Sequence, residues 1–290
     1  MTEFHQIAGF DIISTLGEGA HSTIYEVRDK SGQRLVLKRV VKEGPSQQRF
    51  IDQALREHEV AAKIDHPRVR KSLKVIKQRN VIRVSEVLVL MEMVDGVTLE
   101  KYQPKDLIIT CEIFRQAAEG LQAMHEAGYV HADIKPNNIM LTKTDGVKLI
   151  DFGQSCKSGT TKERIQGTPD YIAPEQVKPE PITEQTDMFN LGASFYWILT
   201  GKHAPTLIPK KSKGVTLKSD EPARDCPPVI ELNPEVSPAL SSLVMNCIEH
   251  KPQNRPQSMA QVMDRLAISV EQIRRQRAVS AGSGRRSAAG

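Results

Sequence analysis

A chain of 290 residues, 26% of them charged and 39% hydrophobic, has an ordinary make-up for a folded protein and about the length of two domains. No window holds the run of about 18 apolar residues that a membrane span needs, so no transmembrane segment is expected. The net charge is +5, but residues 271–290 carry five arginines against Glu271, leaving the rest nearly neutral and no specific nucleic-acid partner expected.

The opening MTEFHQIAGF is polar and acidic, without the basic start and apolar core of a signal peptide, so a cytoplasmic location is expected. Cys111, Cys156, Cys226 and Cys247 are far apart, with no CxxC spacing, and are read as reduced, inert thiols. Residues 10–91 read as strand-rich with one helix. In that helix Phe50, Ala54, Glu57 and Ala61 recur on one face, so Glu57 points inward and Glu59 to solvent. The runs VIRV and VLVLM then read as strands. CEIFRQAAEGLQAMHEAG places Ile113, Ala117, Leu121 and Met124 on one helical stripe, ended by Gly128.

Two polar islands follow, YVHADIKPNNIML and VKLIDFGQS, which put Asp133, Lys135, Asn138 and Asp151 within nineteen positions. Two carboxylates, an amide and an ammonium suit phosphoryl transfer, where catalysis is mainly positioning and neutralisation of phosphate charge. Asp151 offers hard oxygens to a metal and Asn138 adds a neutral carbonyl ligand. Asp133, five positions before Asn138, is placed to orient a hydroxyl nucleophile, and Lys135 to follow the migrating charge.

Downstream, TDMFNLGASFYWILTG reads as an apolar helix with Gly201 past its end. Lysines and prolines break any pattern over 201–236, which reads as a solvated loop. The tail EQIRRQRAVSAGSGRRSAAG is too poor in apolar residues to fold alone and is expected to be disordered, with Ser280 and Ser287 near arginines as weaker candidates for modification.

The two islands resemble the catalytic loop and DFG motif of eukaryotic-type (Hanks-type) serine/threonine protein kinases, including the bacterial ones. Other motifs extend the resemblance from about Gly9 to about Leu266. LGEGAHSTIY is similar to the glycine-rich loop over the phosphates, and VLK places Lys38 at the lysine of the α- and β-phosphates. GTPDYIAPE, with Ala173, Pro174 and Glu175, matches the end of the activation segment.

The resemblance implies an α+β, two-lobed fold with a β-rich N-lobe (10–91), a hinge (92–95) and a helical C-lobe (96–268), after a lead (1–9) and before a basic tail (269–290). It implies ATP, with magnesium or manganese, as the nucleotide, and protein Ser or Thr hydroxyls as acceptors, the protein itself among them. The nucleotide-binding positions it implies are Leu16, Gly17, Glu18, Gly19, Ala20, Ser22, Ile24, Val36, Lys38, Glu57, Met91, Glu92, Met93, Val94 and Met140. Lys38 would pair with Glu57, Met91 would back the adenine pocket, Glu92 to Val94 would bond adenine through the backbone, and Met140 would be the floor. Asp133 and Lys135 would be catalytic, and Asn138 and Asp151 the metal ligands.

Asp187 would anchor the catalytic loop, Arg255 would pair with Glu175, and His131 would be a packed structural residue. Ser22 stands where the pattern has its third glycine, and Val36 narrows a pocket that usually has alanine there. Ala132 replaces the usual arginine before the catalytic aspartate and cannot pair with a phosphorylated activation segment, so basal activity is expected without phosphorylation at Ser155, Ser158, Thr160 or Thr161. Two other readings remain: a nucleotide-binding pseudokinase scaffold, which the intact Lys38, Asp133, Asn138 and Asp151 disfavour, and a small-molecule phosphotransferase, which GTPDYIAPE disfavours.

Overall fold

The computed structural model describes residues 6–19, 21–80, 83–144, 146–178, 180–207 and 226–287. Strands β1 (Gln6–Ile7), β2 (Phe10–Gly19), β3 (Ser22–Arg28) and β4 (Arg34–Val41) run antiparallel, and helix α1 (Gln48–Lys63) leads to β5 (Ser72–Asn80) and β6 (Arg83–Glu92). They form a six-stranded sheet in the order β1-β2-β3-β4-β6-β5. Gln6 and Ile7, assigned by sequence to the lead, thus supply its edge strand.

Strand parity decides what each face buries. Leu35 and Leu37 of β4 pack with Val27, Leu88 and Leu90, whereas Val36 and Val40 pack with Val87, Val89 and Met91 and with Ile51 and Ala54 of α1. Lys38 shares the parity of Val36 and Val40, so its side chain rises on the α1 side. The buried stripe of α1 is Ile51, Ala54, Glu57, Val60 and Ala61, which turns Glu57 toward that lysine.

Past the hinge, β7 (Gly96–Thr98) and α2 (Leu107–Glu126) precede β8 (Tyr129–Val130), β9 (Ile139–Thr142) and β10 (Val147–Leu149). The loop over 131–138 runs into β9, the middle strand of a β10-β9-β7 sheet. Gly96 is required there, because a Cβ would strike the Leu141 carbonyl oxygen. The activation segment contributes β11 (Cys156–Lys157) and β12 (Thr160–Thr161), paired with β8 and with β13 (Pro181–Ile182), and α3 (Pro174–Val177) lies between β12 and β13 in the chain.

The helical core is built from α4 (Glu184–Thr200), α5 (Val229–Leu232), α6 (Pro238–Cys247) and α7 (Met259–Ser287) around α2. Phe114 of α2 and Phe195 of α4 stack at 4.0 Å. Two helix stops expected from glycine hold: Gly128 follows α2 with φ +79° and Gly201 caps α4 with φ +69°. The architecture is the expected α+β, two-lobed one.

Two expectations are corrected. The tail does not lack structure through Ser287: it continues α7, burying Ile273, and Arg277 reaches Asp106 at 2.8 Å. Asp106 caps α2 by accepting from the Ile108 and Ile109 N–H groups, so the tail helix clasps the start of α2. The 201–236 stretch is not a solvated loop throughout, since Ala204, Val229 and Val236 are buried and Tyr196 donates to the Pro227 carbonyl. Residues 208–225, with Lys210, Lys211, Lys213 and Lys218 among the pattern-breaking lysines, lie outside the described residues. Among the described residues no helix is long and apolar enough to cross a membrane.

Candidate active site

Asp133, Lys135 and Thr168 close a ring of hydrogen bonds. Lys135 Nζ donates to Asp133 Oδ2 at 2.8 Å and to Thr168 Oγ1 at 2.7 Å, and Thr168 Oγ1 donates to Asp133 Oδ1 at 2.8 Å. Pro136 to Asn138 form a 3-10 turn that brings the Asn138 amide back to the Asp133 carbonyl at 2.9 Å. That bond occupies the amide nitrogen and leaves its oxygen free for another donor or a cation.

Asp151 enters on the far side. The Ile150 N–H donates to the Asn138 carbonyl at 3.0 Å, so the strand before Asp151 is tied to the loop carrying Asn138. Asp151 has φ +64°, a region that non-glycine residues visit at a cost, and the neighbouring bonds hold it there. Burial pushes its pKa up, but Lys38, His131, Arg70 and Lys135 outweigh that, so its carboxyl stays below the ordinary value and ionised.

Lys38 Nζ meets Glu57 Oε2 at 2.6 Å, and Glu57 is almost wholly buried. Burial disfavours the ammonium, yet Glu57 and Asp151 more than compensate, and the Lys38 pKa lies above its ordinary value. A cavity of about 190 Å³ beside them is lined by Ser22, Lys38, Phe50, Gln53 and Ala54. Above it β2 and β3 form a hairpin in which Gly17 faces Ile24, Glu18 faces Thr23 and Gly19 faces Ser22. Ala20 lies outside the described residues.

Ile24, Val36, Met91 and Met93 belong to one apolar cluster; Val94 is buried, Met140 is half-buried on β9 and Leu16 is exposed on β2. The Glu92 backbone N–H is used by the Lys71 carbonyl, and its carboxylate binds Lys148 at 2.8 Å.

Beneath the loop, Asp187 on α4 accepts from the His131 N–H at 2.8 Å and the Ala132 N–H at 2.7 Å, and bonds the His125 ring at 2.9 Å. The buried His131 ring packs 5.3 Å from that of Phe152. Arg255 donates to Glu175 from both terminal guanidinium nitrogens, at 2.7 and 3.0 Å. Cys156 is buried and its thiol is pushed up by that burial.

Four contributors escaped the sequence reading. Gln176 donates to the Ala132 and Gln166 carbonyls and accepts from Ala173 and Asn190, holding the C-terminal part of the activation segment to the loop. Arg70 contacts Glu57, and Lys148 with Lys71 fixes Glu92. None has a spacing signal: the contacts with Glu57, Glu92 and the Ala132 carbonyl join different elements rather than positions on one helix or strand face. Ser155, counted among the modifiable hydroxyls, is buried and donates to the His131 carbonyl.

The model of the protein kinase domain matches residues 10–266. A probable serine/threonine-protein kinase of Clostridium acetobutylicum is 31% identical over 270 residues, covering 89% of this chain and 39% of the relative. Serine/threonine-protein kinase PknB of Mycolicibacterium smegmatis is 29% identical over 275 residues, 90% of this chain and 43% of that one. The chain thus spans about two fifths of the length of these curated relatives. With the family model covering most of its length, over the two lobes and the site between them, the chain belongs to the protein kinase domain family.

Proposed function

We propose that the protein is a serine/threonine protein kinase that transfers the γ-phosphoryl group of ATP to Ser or Thr hydroxyls of proteins, its own included. The observation that carries this reading is the ring of Asp133, Lys135 and Thr168 beside Asn138 and Asp151. An incoming hydroxyl that displaces Thr168 from Asp133 Oδ1 finds an oriented acceptor, while the Lys135 ammonium remains close to the oxygen in transit. Lys38, charged and held by Glu57, is placed for the non-transferred phosphates.

Asn138 and Asp151 fit a magnesium ion, or manganese in its place. One amide oxygen and one ionised carboxylate are the hard donors such an ion takes when the nucleotide supplies most of its other ligands. When bound, that ion neutralises phosphate charge. The relatives' names and the Lys135 to Thr168 contact favour Ser and Thr over Tyr as acceptors. Use of ATP goes with a cytoplasmic place of work.

Independence from activation-segment phosphorylation belongs to the same reading. Neutral bonds hold the segment where a charged pair is lacking: β11 on β8, β12 on β13, and Gln176 on the Ala132 carbonyl.

The test is incorporation of label from γ-phosphate-labelled ATP with magnesium, into the protein itself and into a generic basic protein. Wild type is compared with Asp151→Asn. Label on Ser or Thr that disappears in the variant supports the reading; binding of ATP without any label refutes it in favour of a nucleotide-binding scaffold.

A further inference from the structure

Arg70 lies on the stretch that joins α1 to β5, and the structure pins it from two sides. Its backbone N–H donates to the Leu149 carbonyl at 3.0 Å, Leu149 N–H donates to Arg68 at 2.7 Å, and Val69 bridges Leu149 in parallel. Arg70 is therefore fixed to β10, the strand that ends two residues before Asp151. Its side chain, 13% exposed, reaches Glu57 Oε1 at 3.4 Å. Among the described residues Glu57 is its hydrogen-bond partner.

One buried carboxylate thus carries two cations from different places: Lys38 of the sheet on Oε2 and Arg70 of the β10 edge on Oε1. The two contacts differ in what can disturb them. Lys38 lines the cavity it shares with Ser22 and Gln53, and any phosphate it bound would compete with Glu57 for its three N–H groups. A carboxylate this deeply buried is costly when its partner is drawn away. Arg70 does not line that cavity, and its planar guanidinium reaches Glu57 from the β10 side.

We propose that Arg70 is a positioning residue that keeps α1 docked through Glu57 whether or not Lys38 is engaged by nucleotide. This rests on the reading of Lys38, Glu57 and Asp151 as the nucleotide site. It supplies by a fixed internal charge what docks α1 in place of a charge added to the activation segment. A second contact, His58 Nδ1 with Ser72 Oγ at 2.8 Å, joins the next residue of α1 to β5.

The experiment is hydrogen exchange of the full chain without nucleotide, for wild type, Arg70→Met, which keeps most of the stem, and Arg70→Lys, which keeps the charge. Loss of a charge-assisted bond predicts about tenfold faster exchange of the α1 amides in Arg70→Met, with most of the protection restored in Arg70→Lys. Protection in α4 and α6 stays as in wild type. Unchanged exchange in α1 overturns the proposal, and so does a loss spread evenly over α4 and α6, which marks a merely structural arginine. Should Arg70→Met not fold, Arg70→Gln is read in the same way.

In parallel, turnover in Arg70→Met falls about tenfold while KM for ATP changes less than about threefold, and Arg70→Lys recovers most of it. If wild type transfers no phosphate, the functional reading fails while the exchange result still decides the role of Arg70.

Discussion

Replacing Glu175 by alanine should be among the most damaging single changes in the C-lobe. Arg255 is wholly buried and uses five hydrogen bonds, two to Glu175 and three to the carbonyls of Gln185, Glu249 and His250, with Phe189 5.0 Å beneath its guanidinium. Glu175→Ala removes the two charged bonds and the only counter-ion within reach of that buried cation among the described residues, and it strands the Thr186 hydroxyl, which donates to Glu175 Oε1 at 3.0 Å. Breaking one side of a buried pair costs about 3–5 kcal/mol. For a protein of this size that is a fall in Tm on the order of 10 °C. The one tryptophan, Trp197, lies in α4, so urea unfolding followed by its fluorescence reads this lobe directly. The double variant Glu175→Leu with Arg255→Met removes both charges and should recover more than half of the loss, because an apolar pair leaves no stranded ion. A single-variant cost below about 1 kcal/mol, or a double variant worse than the single, would refute this account of the pair.

Asp133→Asn should cut turnover by roughly 10²–10⁴-fold while ATP binding, read by equilibrium titration, is retained; equal turnover removes Asp133 from the mechanism. Replacing Ser155, Ser158, Thr160 and Thr161 together with alanine should leave basal activity in place, and its complete loss would sink the proposed independence from phosphorylation. Burial pushes the Cys111 and Cys247 thiols up to about 12, so at pH 8 only about one in 10⁴ is thiolate, and iodoacetamide should leave both unlabelled in the native protein. Stoichiometric labelling of either without unfolding contradicts the packing. Asp106→Ala should cost about 1 kcal/mol at pH 7 through the lost α2 cap. Burial raises the Asp106 pKa, but the Ile109 N–H, Arg277 and the Ile108 N–H outweigh it, so the folded value lies below the unfolded one. The stabilisation is therefore present above the unfolded value of about 4 and lost as pH falls through the folded one, and most of the difference from the variant should vanish there.

What the sequence made legible is what periodicity and local spacing control. Lys38 and Glu57 meet because strand parity turns one and helical spacing turns the other to the same layer. Asp133 and Asn138 meet because one 3-10 turn separates them. Contacts made across the chain carried no such mark. Arg70 reaches Glu57 only after Val69 has bridged Leu149, a parallel contact eighty residues away. Two-residue strands such as β11 and β12 are too short to show any alternation. The tail was misread because its few apolar residues cannot nucleate a helix, yet they need only extend one already formed over Met259 to Leu266. Each added turn then places Val270 or Ile273 on the core around α2 while Arg274, Arg275 and Arg277 stay exposed.

These contacts bear on how the site is held ready. Ala132 has φ +60° and is wholly buried, its N–H fixed by Asp187 and its carbonyl by Gln176. Its methyl group can make no polar contact, so the backbone takes over the connection between catalytic loop and activation segment. Its bonds are neutral at the acceptor carbonyl and charged at Asp187, and both partners are supplied by this chain. The same logic applies at α1, where Arg70 adds a second internal cation to Glu57. In both places the stabilising charge is built in rather than added later, so the proposed basal activity should depend on Asp187, Gln176 and Arg70 more than on any hydroxyl of the activation segment.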